Sequence, residues 1–219
     1  MKIDRAGYPF IAGALLPAAA LALARRRGLA AALGLLGGFF AYFFRDPDRA
    51  VPDTAGVVVS PADGTVMTAG PADKQWAPPG DWSQVTIFLS PLDVHINRSP
   101  VGGRITRIDY RPGKFLPAYK EASNDNELNE LWIESDGRTI VFRQVVGLLA
   151  RRIVCRVEPG DLVARGERIG LMKFGSRMDV FLPLDAELLV SAGQAVVAGE
   201  TLIAQFPAVG DSAGEPARA

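Results

Sequence analysis

Three side chains of the kinds that attack carbonyl groups and transfer protons lie in three short motifs of this 219-residue chain. They are Asp63 in SPADG (60–64), His95 in SPLDVHINRSP (90–100) and Ser176 in FGSR (174–177). A carboxylate that orients an imidazole, which then takes a proton from a hydroxyl, is the arrangement that activates a serine. Residue types alone make this a weak signal. His95 is the single histidine, however, so imidazole chemistry at neutral pH depends on it.

The motifs that surround these residues resemble those of the phosphatidylserine decarboxylases, especially the short bacterial and archaeal form. The matching motifs are YFFRDPDR (42–49), SPADG, SPLDVHINRSP, NDNELNE (124–130), GLLARRIVC (147–155) and FGSRMDVFLP (174–183). They follow one another in the order expected of that family, and the hydrophobic N-terminal segment also agrees. Several consecutive matches are far more specific than any single motif.

The resemblance implies an inactive precursor that cuts itself before a serine in a Gly-Ser pair. In this sequence Ser176 Oγ would attack the carbonyl of Gly175 to form an ester, and elimination at residue 176 would then leave dehydroalanine. Hydrolysis of its imine form, with loss of ammonia, would yield a pyruvoyl group at residue 176. Glycine suits the first position, because it leaves the carbonyl open and tolerates a strained turn. The products would be fragments 1–175 and 176–219, held together as a heterodimer.

The same resemblance implies that the covalent pyruvoyl group does the work of a cofactor, with no metal. Its carbonyl would form a Schiff base with the amine of phosphatidylserine and accept the electrons released with CO₂, which yields phosphatidylethanolamine. His95 is the expected proton donor and Asp63 is expected to set its tautomer. Longer members carry a second histidine three residues later, where this chain has Arg98, so His95 is expected to serve both reactions.

The first 50 residues predict attachment to the cell membrane. Two uncharged runs, 8–24 and 28–44, flank three arginines, and each run as a helix would be about 25 Å long, slightly short of a ~30 Å hydrocarbon core. We therefore expect a hydrophobic helical hairpin that either spans the bilayer or lies at its interface. A signal peptide is the alternative for the first run, although the second run would then remain as an anchor.

From residue 51 the pattern predicts a β-rich catalytic domain that extends to residue 208, followed by a disordered tail at 209–219. The expected strands are GVVVS (56–60), QVTIFLS (84–90), GRITRIDY (103–110), ELWIES (130–135), TIVFRQVVG (139–147) and RRIVCRV (151–157). A proline- and glycine-rich stretch at 71–82 predicts a surface loop, and 118–130 reads as loop or short helix.

Two similar segments, 157–170 and 190–204, share the frame V-x-x-G-x-x-V-x-x-G-E and predict a short strand between tight turns. Such repeats are typical of lipoyl-like sandwiches, so we expect a mainly β fold of the lipoyl-like, barrel-sandwich kind. A membrane-anchored adaptor or carrier without catalysis is therefore an alternative, with Lys173 as the carrier lysine. Another alternative keeps the pyruvoyl chemistry for a different serine lipid or a soluble amino acid.

The composition limits the partners. Lysine and arginine number 24 and aspartate and glutamate also number 24, so the net charge gives no support for a nucleic-acid partner. The expected partners are phosphatidylserine and the lipid bilayer. Cys155 is the single cysteine, which excludes an intrachain disulfide.

Overall fold

The computed structural model describes residues 2–117, 124–147, 152–173 and 176–207. Its helices are α1 (Tyr8–Leu23) and α2 (Arg27–Phe43), preceded by a 3-10 turn at Arg5–Gly7. The strands are β1 (Lys2–Ile3), β2 (Arg45–Asp46), β3 (Val57–Val59), β4 (Gly64–Pro71), β5 (Ser83–Leu89), β6 (Ile96–Arg98), β7 (Gly103–Arg111), β8 (Leu128–Ser135), β9 (Arg138–Val146), β10 (Ile153–Cys155), β11 (Leu162–Val163), β12 (Arg168–Met172), β13 (Ser176–Leu182), β14 (Glu187–Leu188), β15 (Ala195–Val196) and β16 (Leu202–Gln205). The prediction of a mainly β chain behind an apolar helical segment is confirmed.

The two apolar runs form α1 and α2, which pack against each other in opposite directions. A Cβ on Gly37 would come within 2.4 Å of the Leu15 side chain, so this glycine lets the two helices approach closely. At the other end of the pair, Phe10 packs against Phe40, with 5.5 Å between ring centroids. By length and composition, the stretch Arg5–Leu23 could cross a membrane, and α2 is a shorter apolar helix.

The largest sheet has the strand order β11-β7-β8-β9-β13-β5-β4-β15, and all neighbouring pairs are antiparallel. Side chains alternate between its two faces, as the strand geometry requires. Along β13, Met178 and Val180 belong to the main hydrophobic core, whereas Arg177 and Asp179 alternate with them and pair with each other. The central strand is therefore buried on both faces.

Two three-stranded sheets, β10-β12-β6 and β14-β16-β3, complete the body of the fold. The main core includes side chains from both of these sheets and from the large sheet. A second cluster lies where the helices meet β6 and β12, and its buried members are Phe43, Phe44, Val94, Ile96 and Leu171. The helical segment thus packs directly on the β body.

Polar contacts join the same two parts of the chain. Strand β1 pairs with β2 within the first 50 residues, and next to β1 the Asp4 carboxylate accepts hydrogen bonds from Arg156 of the β body at 2.7 Å. On the other side of the second cluster, Asp46 accepts a hydrogen bond from Arg168 at 2.8 Å. Residues on both sides of position 50 therefore form one continuous set of contacts.

The predicted turns of the two repeats are confirmed. Strand β11 lies between Gly160 and Gly166 and β15 between Gly193 and Gly199, and all four glycines have positive φ. The proline-rich stretch contains no strand from residue 72 to 82, as predicted. Strand β4 was not predicted, because its sequence GTVMTAGP is poor in large β-branched and aromatic residues. The tail at 209–219 and residues 118–123 of the polar segment lie outside the described ranges.

Two glycines of β4 give a matched test of close packing in the SPADG motif. Gly64 and Gly70 have φ of +154° and +155°, but a Cβ on Gly64 would lie 2.1 Å from the Phe88 carbonyl oxygen, whereas a Cβ on Gly70 has no neighbour within 4 Å. We expect Gly64→Ala to lower the free energy of unfolding by about 4 kcal/mol or more and Gly70→Ala by about 1–3 kcal/mol. Urea unfolding in detergent measures both; equal losses would contradict the role assigned to Gly64.

Candidate active site

Ser176 is the first residue of β13, the central strand of the large sheet. It pairs with Leu89 at the end of β5 and with Val146 at the end of β9. The residue has no exposed surface, and its Oγ has no hydrogen-bond partner among the described residues. Buried hydroxyls are normally hydrogen-bonded, and leaving one without a partner costs about 1–3 kcal/mol. Gly175, the other half of the predicted cleavage site, lies outside the described ranges.

His95 follows β5 and is joined to the strand that precedes Ser176. Its carbonyl oxygen accepts a hydrogen bond from the Met172 amide at 3.3 Å, four residues before Ser176. The segment between β5 and His95 begins after Leu89, and Leu89 is the register partner of Ser176. The fold therefore brings His95 and Ser176 to the same end of the central strands.

The imidazole of His95 is buried and its tautomer is set by the main chain. Nδ1 lies 3.0 Å from the Asp93 carbonyl oxygen. Because that oxygen only accepts, Nδ1 carries the proton of the neutral ring and Nε2 keeps its lone pair. Burial lowers the pKa of His95 to about 4, so the ring is neutral at pH 7.

A tight turn holds the residue that sets this tautomer. The Asp93 carboxylate accepts a hydrogen bond from the Ser90 amide at 2.7 Å, and the Asp93 amide donates to the Ser90 carbonyl at 3.0 Å. These two bonds close the SPLD segment into a turn. The position of the Asp93 carbonyl, and with it the orientation of His95, is therefore fixed locally.

The helical segment supplies one wall of the histidine pocket. The ring of Phe43, at the end of α2, packs on the His95 ring with 4.3 Å between centroids. Arg45 donates hydrogen bonds to the carbonyls of Tyr42 and Leu92, at 2.9 and 2.8 Å, and so links the end of α2 to the turn before His95. An aromatic wall of this kind removes water from the imidazole, which is the cause of its lowered pKa.

Asp63, which the sequence led us to expect beside His95, is hydrogen-bonded to other residues in the described part of the chain. Its carboxylate accepts hydrogen bonds from Arg49 Nη2 at 2.7 and 2.9 Å and from the Ala198 amide at 2.8 Å. Within the described residues, no hydrogen bond joins Asp63 to His95. The tautomer role expected of Asp63 is therefore filled in this structure by the Asp93 carbonyl.

Arg98, which stands where longer members of the family carry a second histidine, is also held by the main chain. Its guanidinium donates to the carbonyls of Gly166 and Pro47, at 2.8 and 2.9 Å, and lies 3.6 Å from the Asp46 carboxylate. These contacts fix the segment that leaves α2. Arg98 therefore has a structural explanation that does not involve the reacting residues.

Two cavities of the β body lie away from these residues. The larger, about 730 Å³, is lined by residues that include Val51, Arg138, Arg165 and Phe206. The smaller, about 300 Å³, lies on the face of the large sheet that carries Arg177. Neither is lined by Ser176 or His95, which are both at most 1% exposed. In the uncut chain the two residues are thus closed off from solvent.

In the described ranges, no group of three or more histidine, cysteine, aspartate or glutamate side chains is placed to hold a metal ion. Ser176 is enclosed at the start of a strand that is hydrogen-bonded on both sides. The Ser176 hydroxyl is thus buried without a hydrogen-bond partner in the part of the chain that the structure describes.

Comparison with known proteins agrees with the motifs. The family model for phosphatidylserine decarboxylase matches residues 36–204. A phosphatidylserine decarboxylase proenzyme of Symbiobacterium thermophilum is 47% identical over 207 residues, which cover 94% of this chain and 96% of the relative. Proenzymes of the same name from Desulfotalea psychrophila and Nitrosomonas europaea are 42% and 44% identical, and the matches cover 94% and 93% of this chain and 97% and 95% of those relatives. The chain belongs to the phosphatidylserine decarboxylase family.

The lowered pKa of His95 predicts a loss of stability in acid. Between about pH 6.5 and pH 4 the unfolded chain binds a proton that the folded chain excludes, so the free energy of unfolding should fall as pH falls through this window, by up to about 3 kcal/mol. We expect His95→Gln to lack this part of the pH dependence. Denaturant unfolding of both proteins, compared as uncut chains that also carry Ser176→Ala, measures the difference. Identical slopes would show that His95 is not the group that titrates.

Proposed function

We propose that this protein is a phosphatidylserine decarboxylase made as a proenzyme, which cuts itself between Gly175 and Ser176 and converts Ser176 into its pyruvoyl group. The observation that carries the proposal is the Ser176 hydroxyl, which is fully buried and has no hydrogen-bond partner in the described part of the chain. Such a hydroxyl is available to react. Membership of the family and the names of the relatives support the same reaction.

His95 is the proton carrier in this proposal. In the uncut chain its neutral ring, with a lone pair on Nε2, suits the step in which Ser176 Oγ loses its proton. The pyruvoyl group, once formed, supplies the carbonyl that condenses with the substrate amine and accepts electrons when CO₂ leaves. In each turnover His95, after taking up a proton from solvent, then donates it to the substrate carbon. The anionic headgroup of the substrate favours the protonated ring at that stage.

Asp63 acts as a positioning residue in the same proposal. Through Arg49 it holds the segment that leaves α2, and through the Ala198 amide it holds the turn after β15. Both lie beside the SPADG motif. A carboxylate with these partners keeps the motifs of the N-terminal and C-terminal parts in contact around the site.

Closure of the site explains why cutting must come first. Ser176 and His95 are buried in the uncut chain, and a lipid headgroup has no access to them there. Cutting frees the chain at residue 176 and opens the end of β13. The fragment 176–219 contributes β13 and β15 to the large sheet and β14 and β16 to a smaller one, so the two fragments stay associated as a heterodimer.

The location and the architecture complete the proposal. Residues 1–50 attach the protein to the cell membrane, peripherally or as a hairpin, because α1 and α2 expose apolar side chains that include Leu16, Leu23 and Leu35. Residues 51–208 form the catalytic domain. Its two glycine-bounded repeats support a lipoyl-like sandwich. A substrate that resides in the bilayer suits an enzyme held at its surface.

Two other functions fit parts of the same observations. A lipoyl-like adaptor or carrier would need Lys173 to be exposed, yet Lys173 is partly buried and lies over the Phe10 ring, 5.0 Å from its centroid. A pyruvoyl decarboxylase for another serine lipid would share all of the chemistry at residue 176. Assay of decarboxylation with vesicles of different serine lipids separates this second alternative from the proposal.

Replacement of the nucleophile tests the cut itself. Wild-type protein should run as two fragments, the smaller of 44 residues and without a free amino terminus. Ser176→Ala should remain a single chain without decarboxylase activity. Ser99→Ala is the matched control, because Ser99 is also fully buried but its hydroxyl donates to the Val101 carbonyl. Gel electrophoresis with N-terminal sequencing gives the answer, and an active uncut chain would refute the mechanism.

Removal of the imidazole tests the proton carrier. We expect His95→Ala to slow self-cleavage by roughly 100-fold or more, since a positioned acid or base contributes about 10²–10⁴ in rate. Any cleaved fraction should decarboxylate phosphatidylserine more slowly by a similar factor. Time courses of fragment appearance and of CO₂ release measure the two steps separately. Unchanged rates in both would exclude His95 from the chemistry.

A further inference from the structure

We infer that Asn97 donates a hydrogen bond to the oxygen that leaves residue 176 during self-cleavage. The inference rests on the proposed function. The first observation is an orphaned donor: Asn97 is fully buried, and its Nδ2 has no hydrogen-bond partner among the residues that the structure describes. Such a donor costs stability unless another state of the molecule uses it.

A chain of three amides occupies the side-chain oxygen of Asn97. Asn129 Nδ2 donates to Gln144 Oε1 at 3.2 Å, and Gln144 Nε2 donates to Asn97 Oδ1 at 2.9 Å. All three side chains are buried. Because Gln144 presents its amide nitrogen to Asn97, the Asn97 oxygen is the acceptor and its Nδ2 is left for another partner.

A glycine in β12 leaves room for this chain of hydrogen-bonded amides. Gly170 is the register partner of Asn97, and a Cβ at this position would lie 3.2 Å from Gln144 Nε2. The same Cβ would meet the Val154 carbonyl oxygen at 2.1 Å. Glycine therefore gives Gln144 the space through which it reaches Asn97.

The amide chain lies on the same face of the large sheet as the Ser176 side chain. Ser176 is opposite Val146 and Met178 is opposite Gln144, so Gln144 is the diagonal neighbour of Ser176 on that face. Diagonal neighbours lie about 7–8 Å apart, which long side chains can bridge. Asn97 Nδ2 and Ser176 Oγ, which both lack a hydrogen-bond partner among the described residues, thus belong to one buried region.

The chemistry of the cut explains why a donor is needed there. After Ser176 Oγ has attacked the Gly175 carbonyl, the two residues are joined by an ester. Elimination transfers the Cα proton of residue 176 to a base, the role that the proposed function gives to the neutral His95 ring, as the Cα–Cβ double bond forms and the Cβ–Oγ bond breaks. The electron pair passes to Oγ, which leaves as an oxygen of the Gly175 carboxylate. A donor at Oγ stabilises this developing charge, and catalytic hydrogen bonds of this kind often form only as the reaction proceeds.

The test separates the ester from its elimination. We expect Asn97→Leu, which removes the donor at similar volume, to slow formation of the pyruvoyl fragment by roughly 100-fold, the effect of losing one such donor. The ester should accumulate, so that hydroxylamine, which attacks esters, releases a fragment that begins with an unmodified Ser176. Asn97→Ala, which also lacks the donor, should behave in the same way and serves where the leucine variant fails to fold.

Thr86→Val is the matched control. It removes a buried hydrogen bond to Asp179 from the neighbouring strand β5, on the opposite face of the sheet, and should cut at the wild-type rate. If the Asn97 variants cut as fast as wild type, or if hydroxylamine releases no fragment from them, the inference is wrong. The proposed function is tested independently, because it fails if wild-type protein is active without being cut, or if Ser176→Ala is cut or is active.

Discussion

The pairing of β13 with β5 on one side and β9 on the other is the constraint on which the rest of the structure depends. Seven residues of this strand are paired with β5, and six of them are also paired with β9. A strand bonded on both sides cannot shift by one residue without reversing every side chain, so its register is strongly fixed. Ser176 is held in place by this register, at a point where its hydroxyl faces the core.

The N-terminal helices and the site share side chains. Phe43 packs on His95, and Arg45 links the end of α2 to the turn before it. Behind this contact, Asp46 pairs with Arg168 and Arg98. Ion pairs that are partly buried need good geometry to offset their desolvation, and here the acid has two cationic partners. The environment of the imidazole is therefore set jointly by the helical segment and the β body.

Much of this arrangement was predictable from local sequence. The apolar runs, most of the strands and the glycine turns follow from periodicity and turn residues, because these properties act over a few positions. The motifs also identified Ser176 and His95 as candidate site residues. Contacts between distant motifs could not be predicted in the same way. Asp63 pairs with Arg49, which lies in the motif at 42–49, but nothing in the sequence indicates that pairing.

Some site residues gave almost no signal. Gln144 lies within a β-branched run and reads as one polar position of a strand, yet it is fully buried and holds Asn97. Its significance depends on Gly170, on another strand of another sheet, which leaves room for its side chain. Asp93 acts through its carbonyl, and a carbonyl is common to every residue type. Pairings of this kind arise from the packing of whole sheets and not from the identity of one residue.

The strand order also bears on how long the mature protein lasts. In the proposed reaction, the four described strands that begin at or after residue 176 are placed while the chain is continuous, when closing the fold is an intramolecular step. Once the peptide bond is gone, reassembly becomes bimolecular and no chemistry in the protein restores the bond. The working lifetime of the cut protein is then governed by the rate at which it unfolds, and not by its equilibrium stability. Each molecule has one opportunity to assemble its site correctly.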